Sequence, residues 1–334
     1  MTEQMQSRFI AARQKYIASQ FSQLNDMQQK AVLTTEGPLL ILAGAGSGKT
    51  RVLTYRAAYL LEKGVPPWAI LAITFTNKAA REMRERINRL AGEAADDMWV
   101  MTFHALSARI LRRDIEKLGY KREFSIYDDD DQMSALKEIL KKLNIDDKFL
   151  PYKTIMNEIS RAKDSLIGPK EYEKENASDI RLAKIASVYK KYQELLKQSD
   201  AMDFDDLIFN TVRMLKMNAD ARAYYQRKFK YVMVDEYQDV SQVQDTIFKA
   251  VSDEGRKLFL VGDVKQSIYR FRLADPEIFT GKYTRFADAA DAAPGEPRRI
   301  ILQENFRSRR EILDCANAVF SQCMSRELGD IDYD

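Results

Sequence analysis

One histidine and two cysteines are all that 334 residues offer as imidazole and thiolate metal ligands. Cys315 and Cys323 make neither a disulfide framework nor a metal site, and a reducing cytoplasm suits them. No apolar run approaches the roughly 18 residues that a membrane helix needs, so no membrane partner is expected. Residues 1–20 are polar and lack the apolar core of a signal peptide. No internal repeat is visible. The net charge of +3 is too small to argue for a polyanionic partner by itself. What remains is a globular composition, 45% hydrophobic and 31% charged. The length suffices for about two domains with real cores.

Residues 38–51 say most about the chain: Pro-Leu-Leu-Ile-Leu-Ala-Gly-Ala-Gly-Ser-Gly-Lys-Thr-Arg. Leu39–Leu42 reads as a buried parallel strand. A helical pattern follows, with Leu53, Ala57, Leu60 and Leu61 on one face and Gly64 as a stop signal. Between them lies a small, Gly-rich loop. Strand, loop and helix in this order make a nucleotide triphosphate site. The backbone of Ala45, Gly46, Ser47 and Gly48 is free to close around phosphates, and the helix dipole adds to the field. Lys49 is placed for the β/γ-phosphates, and the Thr50 hydroxyl for Mg²⁺. Ala43 stands where the strict pattern has its first Gly, and it is small enough to serve.

The other half of such a site follows later strands. Tyr231–Val234 is apolar and runs into Asp235-Glu236. Asp235 is placed to hold Mg²⁺ with Thr50. Glu236 is placed to take a proton from attacking water. After Leu258–Val261 comes Gly262-Asp263-Val264-Lys265-Gln266, where the Gln266 amide suits a γ-phosphate sensor. Arg307, after the strand Ile300–Leu302, reads either as an arginine finger or as a surface Arg in a capping turn. Asn25 and Gln28 fit a capping box. Gln28 fits the edge of an adenine equally well, and the two roles are compatible.

Strands are also expected at Ile70–Phe75 and Trp99–Phe103, so the fold class is α/β with a parallel sheet. Residues 108–201 differ: they are charged and helix-patterned over Met133–Leu143 and Leu182–Leu196, with no convincing strand. They read as a helical subdomain inserted into the sheet. Asp128–Asp131 is expected to cap a helix, and Ala287–Pro297 to form a surface loop. Lys78, Arg81, Arg84, Arg86 and Arg89, set against Glu82 and Glu85, read as a solvated helix face.

Three segments behind strands join aromatics to polar groups. Phe75, Tyr269 and Phe271 are candidate platforms for unpaired bases, each stacked base being worth roughly 1–3 kcal/mol. Thr76, Asn77, Thr102, His104 and Arg272 are candidate donors to the phosphates. The competing reading is core aromatics and a satisfied histidine. Gln266 and Tyr269 are only three residues apart, which ties phosphate state to base stacking.

Taken together, these segments resemble the superfamily 1A helicases of the UvrD/Rep/PcrA type. The matching pieces are Leu24–Gln28, Ala43–Thr50, Leu71–Ala80, Thr102–His104, Asp203–Leu207, Asp235–Asp239, Val261–Arg272 and Asn305–Ser308, in the family's order. The resemblance implies a RecA-like P-loop sheet and ATP- and Mg²⁺-driven 3′-to-5′ movement on single-stranded DNA. It adds Arg51, Phe306 and Gln28 near the base or sugar of the nucleotide, and Phe204 on the DNA side. It divides the chain into a first motor domain over 1–107 and 203–302, an insertion over 108–202, and the start of a second motor domain over 303–334. The second domain's later motifs are absent, so a motor portion of a larger enzyme is expected, or else a binding module that does not unwind. Residues 261–276 and 327–334 are similar to the AddA helicase–nuclease subunit, which implies a second subunit as partner.

Overall fold

The computed structural model describes residue 19 and residues 21–267 and 274–324. In chain order its strands are β1 (Leu39–Ala43), β2 (Ile70–Thr74), β3 (Trp99–Thr102), β4 (Ser125–Tyr127), β5 (Ala201–Asp203), β6 (Tyr231–Val234), β7 (Leu258–Gly262), β8 (Ala287–Asp288) and β9 (Arg298–Leu302). Seven of them form one sheet in the order β3-β2-β6-β7-β1-β9-β8. Every pairing is parallel. All six strands expected from apolar runs are present. They are buried almost throughout, as strands covered on both faces must be.

Alternation along each strand divides two cores. Leu40, Leu71 and Ile73 face one cluster, packed with Leu106, Ile110, Val212 and Phe248. Leu39, Ile41, Ile70 and Ala72 face the other, packed with Val52, Leu53, Met83 and Ile87. The helices that cover these faces include α1 (Asp26–Leu33), α2 (Lys49–Glu62), α3 (Asn77–Ala91) and α4 (Phe103–Asp114). Helix α4 runs without a break through the 107/108 position where the sequence placed a boundary.

A third cluster belongs to the inserted stretch. It joins α5 (Asp129–Lys142), α6 (Tyr152–Asp164), α7 (Pro169–Glu175) and α8 (Ile180–Gln198) through Leu136, Ile139, Ile155, Tyr172, Tyr189 and Leu196. Asp128 caps α5 through a capping box, as expected. The expectation of no strand here fails: β4 pairs in parallel with β5. At three residues each, half exposed in β4, these strands have no apolar run to read. Likewise Ala287–Asp288, expected in a loop, pairs with β9 as an exposed two-residue edge strand.

After β5 the chain returns to the sheet through α9 (Phe204–Met217), α10 (Ala219–Lys228), α11 (Gln242–Val251), α12 (Pro276–Arg285) and α13 (Arg310–Cys323). The insertion is pinned where α9 begins. Lys163 Nζ of α6 lies 2.5 Å from Asp203 Oδ2 and 2.9 Å from Asp206 Oδ1, all three side chains being buried. The Tyr192 hydroxyl donates to Asp203 at 3.0 Å. Burial works against the charge on Lys163, but the two carboxylates more than offset it and hold the ammonium above its ordinary range.

Candidate nucleotide and nucleic-acid site

Parallel register sets the tips of β6, β7 and β1 side by side, with Val234 opposite Leu260 and Leu42 opposite Gly262. Ligands of open α/β sheets bind at such carboxyl ends. The loop after β1 needs glycine at two points. Gly46 (φ 76°) and Gly48 (φ 90°) are left-handed. An added Cβ would also sit 2.7 Å from Asn305 Oδ1 at Gly46 and 2.9 Å from Gln28 Nε2 at Gly48. Ala43 needs no such freedom, being the last, buried residue of β1.

The loop's carbonyls are tied down on its outside. Ala45 O accepts from Asn305 Nδ2 at 2.6 Å, Gly46 O from Phe306 N at 3.0 Å, and Ser47 O from Gln28 Nε2 at 2.9 Å. In a planar trans peptide the following N–H points the opposite way. The N–H groups of Gly46 and Gly48 therefore turn away from these partners. Gly48 is the N-cap of α2 and offers no side-chain cap to the first-turn N–H groups. This is a cradle suited to an anion.

At its mouth Lys49 Nζ donates to Gln266 Oε1 at 2.8 Å and lies 3.5 Å from Glu236 Oε2. The contacts close into a ring. Gln266 Nε2 donates to Asp263 Oδ2 at 2.6 Å, Asp263 N to Gln238 Oε1 at 3.0 Å, and Gln238 Nε2 to Glu236 Oε2 at 2.7 Å. One polar circuit thus joins the tips of β1, β6 and β7. Glu236 holds its place in a left-handed conformation, φ 52°, which is strained for a residue with a Cβ.

Beside the ring, Thr50 Oγ1 donates to Asp235 Oδ2 at 3.1 Å. Burial, then the neighbouring Glu236, pushes the Asp235 carboxyl up to about 6, against the bond from Thr50. One hydroxyl and one carboxylate fit Mg²⁺, which takes few protein ligands and completes its shell with water and phosphate oxygens. Among the described residues there is no cluster of three or more His, Cys, Asp or Glu that would make an all-protein cage.

The flanking candidates are placed less evenly. Gln28 is buried, closes the capping box with Asn25, and holds the loop at Ser47. The capping role read from the sequence is present, and the Gln28 side-chain amide is engaged by the loop. Arg51 donates to Gln23 O at 3.0 Å and flanks Tyr55. Phe306 is 56% exposed, so its ring is open to stack on a base. Arg307 is exposed, and its backbone N–H donates to Asn305 Oδ1 at 2.9 Å.

The nucleic-acid candidates gather along the tips of β2 and β3. Phe75 is half-buried and meets Phe103 edge-on at 5.3 Å. Thr76 caps α3 and is exposed beside Asn77. Thr102 is buried and caps α4, so its side chain supports the rim rather than standing open on it. His104 meets Phe204 edge-on at 5.7 Å. Burial pushes the His104 imidazole below its ordinary range, with Asp205 opposing. Phe204 is 46% exposed because its neighbours Asp203 and Asp206 turn inward to Lys163 and cap α9. Tyr269, Phe271 and Arg272 lie outside the described residues, as do 327–334.

Sequence reasoning missed Gln238, Asn305 and Lys163. Gln238 sits inside the segment Asp235–Asp239 already singled out, and a buried amide two residues past Glu236 is its only signal. Asn305 likewise sits inside the segment Asn305–Ser308 already singled out, where its Oδ1 accepts from the backbone of Arg307 and Ser308, while Lys163 has no local signal, since its partners are far along the chain.

Comparison with known proteins places these residues in a family. Residues 24–287 match the UvrD/REP helicase N-terminal domain. The chain is 46% identical over 314 residues to the ATP-dependent DNA helicase PcrA of Bacillus subtilis (strain 168), covering 93% of this chain and 41% of that protein. It is 45% identical over 305 residues to the PcrA helicase of Staphylococcus epidermidis (strain RP62A), with 91% and 41% covered. The PcrA helicase of Staphylococcus aureus (strain Mu50) is also 45% identical over 305 residues, with 91% and 40% covered. The chain spans about two fifths of the length of these relatives. The match takes in the loop, the carboxylates and the aromatic rim, and the chain belongs to the UvrD/REP helicase N-terminal domain family.

Proposed function

We propose that this chain binds MgATP and single-stranded DNA as the first motor portion of an ATP-dependent 3′-to-5′ DNA helicase serving repair or recombination. One observation carries the reading: Lys49 and Thr50 of the loop meet Gln266 and Asp235 of two other strand tips. Phe75 and His104 follow the tips of β2 and β3 in the same sheet, and Phe204, which follows β5 of the two-stranded sheet, meets His104 edge-on. MgATP, when bound, supplies the phosphoanhydride whose hydrolysis drives movement. Lys49 leaves Gln266 for the phosphates, and the freed amide senses them. Thr50 and Asp235 hold the metal ion, Glu236 accepts the proton of the attacking water, and Arg307 neutralises developing charge. On the family's division, residues 1–107 and 203–302 form the motor domain, 108–202 the insertion and 303–334 the start of the next domain.

The exposed Arg307 favours a second reading, a module that binds both ligands and neither hydrolyses nor unwinds until another surface presses Arg307 home. The matched relatives are PcrA helicases, so the AddA likeness and the second subunit it implies gain no support. Among the described residues no helix is long and apolar enough to cross a membrane, and we place the protein in the cytoplasm with its DNA. ATP hydrolysis by the chain, with and without oligothymidylate, is the test. Hydrolysis that single strands accelerate supports the motor reading. Binding without turnover supports the module, and indifference of nucleotide binding and turnover to DNA contradicts both.

A further inference from the structure

The arginines of α3 do more than cover a solvated face. With β3 and the start of α4, this helix walls a groove of about 460 Å³ along the free edge of the sheet. Asn77 and Ala105 line its upper end, one residue beyond Thr76 and His104. Asn88 lines its lower end, about 16 Å further down α3 at the helical rise, the span of a few nucleotides. Arg81, Arg84 and Arg109 give the groove its charge, and Glu85 is the one carboxylate in its lining.

The arginines are held but not neutralised. Arg84 Nη2 donates to the Val100 carbonyl at 2.8 Å, which covers the outer edge of β3 and disfavours addition of a partner strand. The Arg109 guanidinium lies 3.7 Å from the centre of the Trp99 ring, and Lys228 Nζ lies 4.0 Å from it. Among the described residues none of Arg81, Arg84 and Arg109 forms an ion pair. Burial, and secondarily the nearby Arg109 and Arg113, push Lys228 below its ordinary range. An uncompensated row of guanidinium groups on a groove that opens at an aromatic rim complements a phosphodiester backbone.

We propose that this groove extends the nucleic-acid path: a single strand leaving the rim at His104 and Phe204 runs down the sheet edge with its phosphates on Arg81, Arg84 and Arg109. This rests on the single-strand reading above. It assigns the groove to backbone contacts, which add affinity and salt dependence without sequence preference.

The test is fluorescence anisotropy of labelled oligothymidylates from about 4 to about 16 nucleotides, measured over a salt series with the 334-residue chain. Arg81→Ala/Arg109→Ala leaves Arg84 to cover the edge carbonyl. It is expected to match the parent chain on the shortest oligonucleotide and to bind the longest about tenfold more weakly. Its salt slope should be shallower by about 1.4, for two phosphates on a single strand. Arg81→Glu alone, at an exposed side chain, should give the same length-dependent loss if loss of the Arg109–Trp99 contact harms the double variant. An unchanged length series and salt slope overturns the groove, and so does an equal loss at every length. Loss of polyglutamate binding with oligonucleotide binding intact overturns it in favour of an acidic protein segment. Phe204→Ala reports on the rim separately: if it leaves the shortest oligonucleotide unaffected, the single-strand reading itself fails, and a chain that binds no oligonucleotide overturns both.

Discussion

Two lysines of this chain sit among carboxylates and do opposite things. Lys163 is 1% exposed and has charged partners at 2.5 and 2.9 Å. Lys49 has a neutral amide at 2.8 Å and a carboxylate only at 3.5 Å, at the mouth of the glycine-rich backbone loop. The first is a lock, because removing it strands two buried carboxylates. The second is poised to trade partners, because Gln266 and Glu236 are held by Asp263 and Gln238 whether or not Lys49 stays. Burial and completeness of the partner set distinguish a joint from a site, even though the residue types match.

The comparison breaks most visibly at the lock. Lys163→Met is expected to destabilise the fold by about 3–5 kcal/mol, as loss of one member of a buried ion pair does. Urea unfolding measures it, and a near-parental midpoint would contradict the lock. Lys49→Ala should do the reverse. On the motor reading, hydrolysis falls by about two to three orders of magnitude, while the unfolding free energy in urea changes by no more than about 1 kcal/mol. A smaller effect is expected at the rim that the lock supports. Phe204→Ala should weaken oligothymidylate binding by about 1–3 kcal/mol with little change in melting temperature.

The smallest effect sharpens the lock's electrostatics. Burial, then Asp205, pushes the Asp164 carboxyl, beside Lys163, up to about 7. The folded chain therefore keeps a proton that the unfolded chain releases near the ordinary carboxylate value. That stabilisation is complete below about pH 4 and is lost as pH rises through about 7. Water reaches part of this side chain, so the slope stays under the one-proton limit of about 1.4 kcal/mol per pH unit. Melting temperatures of Asp164→Asn between these limits should fall less steeply than those of the parent chain. Parallel profiles would remove Asp164 from the account.

What the sequence made legible was local. Leu39–Ala43 and the loop to Thr50 announce themselves because strand, glycines and helix are contiguous. The caps at Asn25 and Asp128 lie within three residues of their partners. The remainder depends on distance along the chain. Lys49 and Gln266 are 217 residues apart, Ala45 and Asn305 260, and Lys163 and Asp203 40. Charge alone did not separate Arg81 and Arg84, which line a groove, from Arg86 on the same helix, because only packing against β3 decides which face is a wall. Strand β4 stayed hidden because Ser125–Tyr127 lacks the apolar run that a covered strand shows.

The central claim is that the tips of β1, β6 and β7 form one MgATP pocket with Lys49 as its exchangeable cation. Titration of a fluorescent ATP analogue, with and without Mg²⁺, into the parent chain and Lys49→Ala tests it most directly. The account predicts Mg²⁺-dependent binding that weakens at least about tenfold in the variant, a loss of about 1.4 kcal/mol or more. Equal affinity in the two proteins, or binding indifferent to Mg²⁺, would contradict it.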